Sequence, residues 1–147
     1  MSFILFLHGL GSKPGGTKVK YLEALGHNVI NPALPNEDFN KSVEIADKLL
    51  KEHDIDVVIG SSRGGAVAMA LNHSKPMVLV APAWSNYNVI PNADQADMWK
   101  VIHSKNDDVI PIIDSRLLER LGCSLVVTGE THRMNDEEAL KAIAAAI

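Results

Sequence analysis

A serine set between glycines, Gly60-Ser61-Ser62-Arg63-Gly64, directly follows the β-branched run Val57-Val58-Ile59, and an apolar helical pattern runs on from Ala66 to Leu71. A strand, a sharp turn and a helix around Gly-x-Ser-x-Gly form the elbow that lifts a serine hydroxyl above a sheet edge, where a base can reach it. The glycines have a steric reason. The turn strains the serine backbone, and a Cβ two residues to either side would collide. Ser61 fits the pattern worse than Ser62, because Ile59 and Arg63 stand at its flanking positions. A serine hydroxyl is a poor nucleophile at neutral pH and needs a base to take its proton as it attacks. Such chemistry also requires a carboxylate to orient the base and N–H donors for the oxyanion that attack creates.

The elements that must position these groups are legible in the hydrophobic pattern. Phe3–Leu7 is a continuous apolar run, as expected of a strand buried on both faces. A glycine-rich loop, His8 to Gly16, follows it. Val19, Leu22 and Leu25 predict a helix from Lys18 to Leu25, stopped by Gly26. Asn28 to Asn31 reads as a second strand, and Pro32 and Pro35 mark the loop after it. Phe39, Val43, Ala46 and Leu50 form the stripe of an amphipathic helix ending near His53. Beyond the elbow, Met77–Val80, Trp99–His103 and Ser124–Val127 read as strands, while residues 83 to 97 show no clear periodicity. Ile113, Leu117, Leu118 and Leu121 predict a helix stripe closed by Gly122. Asn135 is placed to cap the terminal helix, with Glu138 at the capping-box position. This alternation predicts an α/β fold: a single three-layer α/β/α domain over residues 1–147, with a mostly parallel sheet of about six strands.

Open parallel sheets collect their chemistry at the carboxyl ends of the strands. The first strand is followed by His8-Gly9-Leu10-Gly11, the third by Ser62, the fifth by His103-Ser-Lys-Asn-Asp107-Asp108, and the last by Gly129-Glu-Thr-His132. A serine, a carboxylate and an imidazole therefore share one edge, in the chain order Ser, Asp, His. Either Asp107 or Asp108 could be the orienting acid; the offset to Pro111 favours Asp107. Of the six histidines, His132 alone follows the last strand. His103 ends a strand and reads as a brace for the acid loop, and His8 as a hydrogen-bonding residue of the first loop. Trp84 and Tyr87 either line an acyl pocket or pack its rim. The Arg63 side chain reads as a surface group.

The His8-Gly9-x-Gly11 loop, the Gly60-x-Ser62-x-Gly64 elbow, the Asp107-x-x-x-Pro111 segment and the late Gly129-x-x-His132 resemble, in order and position, the small lidless serine esterases of the α/β-hydrolase superfamily. The resemblance covers nearly the whole chain and implies a minimal α/β-hydrolase fold. It also implies Ser62 as nucleophile, Asp107 as orienting acid and His132 as base. The backbone N–H groups of Leu10 and Arg63 would form the oxyanion hole. The chain departs from larger superfamily members in lacking their first antiparallel strands, and residues 81 to 97 are too few for a substantial lid.

Other readings fail on spacing or composition. The third glycine of a dinucleotide fingerprint would fall on Pro14, and the lysine of a phosphate-binding loop would fall on Thr17. No histidine–acid spacing suits a metal, and no cofactor is implied. Net charge is −4 with no basic cluster, which argues against nucleic acid as a partner. The N-terminal residues read as a strand and not a signal peptide, and no apolar run reaches the ~18 residues that span a bilayer. The single cysteine, Cys123, allows no intrachain disulfide and fits a reducing cytoplasm. The expected function is a cytoplasmic serine carboxylesterase acting on small acyl esters. Thioesters or amides are alternative substrates, and a catalytically silent hydrolase-fold binding module is the alternative of another class.

Overall fold

The computed structural model describes residues 1–147. Six strands, β1 (Phe3–Leu7), β2 (Asn28–Ile30), β3 (Val57–Ser61), β4 (Met77–Val80), β5 (Trp99–His103) and β6 (Ser124–Val127), form one sheet in the order β2-β1-β3-β4-β5-β6. Every pairing is parallel. The helices are α1 (Thr17–Ala24), α2 (Phe39–Glu52), α3 (Arg63–Ala70), α4 (Ile112–Leu121) and α5 (Glu137–Ala145). Residues 83 to 97, without periodicity in the sequence, hold the 3₁₀ turn Trp84–Tyr87 and the start of a second, Ala96–Met98.

Alternate residues of each strand enter opposite layers, as the pleat requires. Ile4, Phe6, Val57, Ile59, Val78, Val80 and Ile102 pack with Val19 and Leu22 of α1 and with Ala139 and Ile143 of α5. Leu5, Leu7, Val58, Leu79 and Val101 pack with Ala46 of α2, Val67 and Ala68 of α3 and Leu118 of α4. The strands are therefore apolar on both faces, and the sheet is a middle layer between two helix layers. The strand order reverses direction at β1, so the carboxyl ends of β1 and β3 border the switch-point crevice where such sheets bind ligands.

Two local expectations are corrected. The cap of α5 is Asp136, whose side chain accepts from Ala139 N–H at 3.2 Å, and not Asn135. The Asn135 amide oxygen is engaged by the Lys18 ammonium at 2.8 Å, which leaves the neighbouring Asp136 carboxylate to cap the helix. On α4 the buried residues are Ser115 and Leu118, while Ile113, Leu117 and Leu121 of the predicted stripe are exposed. The helix is turned so that Ser115 Oγ reaches Nδ1 of the buried His103, at 2.7 Å.

Candidate active site

The elbow is built by absence of side chains. A Cβ on Gly64 would overlap the carbonyl oxygen of Leu7, and one on Gly60 would overlap the carbonyl oxygen of Gly64. A Cβ on Gly65 would stand 2.8 Å from Pro82 Cβ. This close approach of α3 to β1 and β3 leaves Ser62 at φ 55° and ψ −117°, a strained conformation for a residue with a side chain. The turn is held by Ser62 N–H donating to the Val80 carbonyl and by Ala83 N–H donating to the Ser62 carbonyl, each at 2.9 Å.

Ser62, His132 and Asp107, the residues singled out in the sequence, come together at the carboxyl edge. Ser62 Oγ lies 2.9 Å from His132 Nε2, and His132 Nδ1 lies 2.6 Å from Asp107 Oδ2. The Asp107 side chain is fully buried, and its Oδ1 accepts from the N–H groups of Val109 and Ile110 at 2.8 Å each. Burial opposes ionisation of Asp107. The hydrogen bond from His132 and the two N–H donors outweigh it, so the carboxyl group lies below its ordinary range. An ionised carboxylate only accepts, which puts the His132 proton on Nδ1 and leaves Nε2 to accept from the Ser62 hydroxyl. Asp108 is exposed and takes no part.

His103 holds the acid from behind. Its ring is fully buried, and Nε2 lies 3.0 Å from both Asp107 Oδ2 and the Ile110 carbonyl. Both partners are acceptors, so Nε2 carries the proton and Nδ1 accepts from the Ser115 hydroxyl. Burial lowers the pKa of His103 and outweighs the nearby Asp107 charge, so the ring is a neutral donor. The bracing role expected for His103 in the sequence has this geometry.

Leu10 lies on the loop after β1, and its backbone N–H donates to no protein acceptor. Arg63 is the first residue of α3, so its N–H is among the donors that a helix start leaves free. The loop carrying Leu10 is tied to the segment after β2. Leu34 N–H donates to His8 Nε2 at 3.0 Å, Gly11 N–H to Asn36 Oδ1 at 3.0 Å, and Gly15 N–H to Asn31 Oδ1 at 2.8 Å. The Arg63 side chain, expected at the surface, is instead 1% exposed. It donates to the Pro35 carbonyl at 2.9 Å and to Ser42 Oγ at 3.1 Å, and its guanidinium lies 5.5 Å from the Phe39 ring and 5.6 Å from the Tyr87 ring. No carboxylate pairs with it, so aromatic faces and neutral oxygens hold the charge. Arg63 gave no signal in the sequence, because its partners at 35, 39, 42 and 87 are scattered along the chain.

Ser62 and His132 open into a cleft of about 580 Å³ between the Leu10 loop, the start of α1 and the His132 loop, with Lys13, Lys18 and Arg133 on its walls. Trp84 lies outside this lining and packs on the core layer that contains α3, and Tyr87 stacks on Phe39 at 5.0 Å between centroids. A second depression, about 650 Å³, lies at the amino ends of β1 and β2 around Phe3 and Asn28 and holds none of the groups above.

No protein-family profile matches the chain, and no curated protein sequence matches it. Solved structures do. A protein from Xanthomonas campestris pv. campestris, described as belonging to the alpha/beta hydrolase superfamily, is 22% identical with a TM-score of 0.73, over 99% of this chain and 95% of its own. Est1E from Butyrivibrio proteoclasticus is 14% identical with a TM-score of 0.75, over 99% of this chain and 85% of its own. The esterase domain of a Rhodothermus marinus protein is 16% identical with a TM-score of 0.71, over 97% of this chain and 82% of its own. The parallel sheet, the strained serine at the turn from β3 to α3 and these likenesses together give the chain the α/β-hydrolase fold.

Proposed function

We propose that the chain is a serine hydrolase that cleaves small carboxylic esters through an acyl-enzyme. One observation carries this reading: the unbroken run from Ser62 Oγ through the His132 ring to Asp107 Oδ2, with both links within hydrogen-bond distance. The likeness to Est1E, one structure of which has ferulic acid bound, and to an esterase domain supports an ester substrate. Ser62 Oγ attacks the ester carbonyl carbon while His132 Nε2 takes the hydroxyl proton. Asp107 holds the ring and stabilises the imidazolium. The carbonyl oxygen becomes an oxyanion facing the N–H groups of Leu10 and Arg63, where loss of one donor typically costs about 10²–10³ in rate. Collapse breaks the bond to the alcohol, which leaves with the proton from His132. Water then attacks the acyl-enzyme by the same route, His132 taking its proton and returning it to Ser62 as the acid departs.

The test is intact-mass analysis after treatment with a fluorophosphonate. One adduct is expected on the native chain, a similar one on Ser61→Ala and none on Ser62→Ala. Equal labelling of Ser62→Ala and the native chain would overturn the assignment.

A further inference from the structure

The cleft that holds Ser62 and His132 is basic in an acidic protein. Lys13, Lys18 and Arg133 line it and no aspartate or glutamate does, although the chain carries 18 acidic against 14 basic residues. None of the three cations has a carboxylate within ion-pair distance. Lys18 is the most enclosed. The residue is half-buried, and its ammonium donates to two neutral oxygens, the Arg133 carbonyl and Asn135 Oδ1. An ammonium has three donors, so one remains for a ligand. Burial and the Arg133 charge lower its pKa to about 8, the mark of a cation without a counter-ion. Keeping a half-buried charge unpaired is unfavourable unless something neutralises it.

The position of these charges says which part of a substrate they meet. Arg133 follows His132 in the chain, Lys18 grips the Arg133 carbonyl, and all three residues line the one cleft, so both cations stand on the His132 side of it. His132 hands its proton to the departing alcohol, so the alcohol part lies on the side of the imidazole. We propose, on the footing that Ser62 is the nucleophile, that the alcohol part of the substrate carries an anionic group, a carboxylate or a phosphate, bound by Lys18 and Arg133. Lys13, exposed on the opposite loop, adds to the same field.

The test compares acetyl esters of three matched phenols: 3-hydroxybenzamide, 3-hydroxybenzoate and 3-hydroxyphenyl phosphate. At least one anionic ester should exceed the neutral amide about tenfold in kcat/KM, chiefly through KM, as expected for charge-assisted hydrogen bonds. The better of the two identifies the anion. Added salt should compress the ratio. Lys18→Gln with Arg133→Gln should bring it near one, and Lys18→Arg should keep it, a result that a purely structural role for Lys18 would not give. Ratios near one in the native chain, or a ratio unchanged in the double variant, overturn the proposal. Calorimetric binding of 3-hydroxybenzoate and 3-hydroxyphenyl phosphate to Ser62→Ala provides a readout without turnover. Binding of either anion with no fluorophosphonate adduct on Ser62 would overturn the hydrolase reading and leave the anion site standing. An adduct without anion preference or binding would overturn the anion site alone.

Discussion

Asp107 Oδ2 takes two imidazole donors, His132 at 2.6 Å and His103 at 3.0 Å, while Oδ1 takes two backbone N–H groups. Asp107→Asn would set an amide against these donors and release the His132 tautomer, so under the proposed mechanism kcat should fall by about 10⁴. Asp108→Asn should leave kcat near the native value, and steady-state kinetics on one ester would compare the two. The sequence offered both aspartates and preferred Asp107, the one these imidazoles contact, only through the offset to Pro111. The N–H groups of Val109 and Ile110 that select Asp107 belong to a loop conformation that no periodicity encodes. The same buried groups set a dependence of stability on pH. His103 has a lowered folded pKa, so below about pH 6.5 the unfolded chain takes up a proton there that the folded chain does not. Stability should therefore fall as pH drops from 7 towards 5, by up to about 1.4 kcal/mol per pH unit for this group, with His73, also lowered by burial, adding to the slope. The contribution of Asp107 is present above its unfolded value near 3.8 and is lost only as pH falls through its lower folded value. Urea unfolding across this range should show a shallower decline for His103→Gln than for the native chain; an identical slope would rule out His103 as its source.

At the scale of elements, the turn from β3 to α3 does two things with one residue. The Arg63 N–H is a free donor beside Ser62, while its side chain pins Pro35, in the segment that supports the Leu10 loop. Arg63→Ala should therefore lower kcat more than it raises KM, by roughly 10²-fold if the Leu10 donor is lost with the loop. Hydrogen exchange at the amides of Gly9 to Gly16 should speed up in the same variant; unchanged exchange with native kcat would show that the loop stands without Arg63. The elbow was legible because glycine spacing follows from collision, and collision is local. The rotation of α4 was not, because apolar residues outnumber the positions that face the core. The face that turns inward carries Leu118 and Ser115, whose hydroxyl bonds His103. Asn135 failed as a cap for a similar reason, its side chain being claimed from α1 by Lys18.

For the whole molecule, the parallel sheet follows from alternation, and the shared edge of Ser62, Asp107 and His132 follows from the sheet. Strand limits agree with the hydrophobic runs to within a residue or two, since the central strands β1, β3, β4 and β5 are apolar on both faces. The pairing of loops at that edge depends on side chains far apart in sequence and was not readable. Residues 81 to 97 contribute short turns against the core and no lid, and the cleft walls are glycine-rich and polar. A methylene adds roughly 1–3 kcal/mol of discrimination only where a pocket encloses it. On a p-nitrophenyl ester series kcat/KM should peak at short acyl chains and decline with length; a steady rise to long chains would contradict this open cleft. The sheet also ends abruptly. β6 has no neighbour on its outer side, and Val126 and Val127 are 47% and 38% exposed. Beside it runs the exposed row Ile113, Leu117 and Leu121 of α4. Such an edge invites intermolecular strand addition, and no lysine or proline within β6 blunts it. Association in concentrated solution should then begin at this edge, and Val126→Lys, at an exposed position, should delay the onset of light scattering on storage while leaving ester turnover as it was.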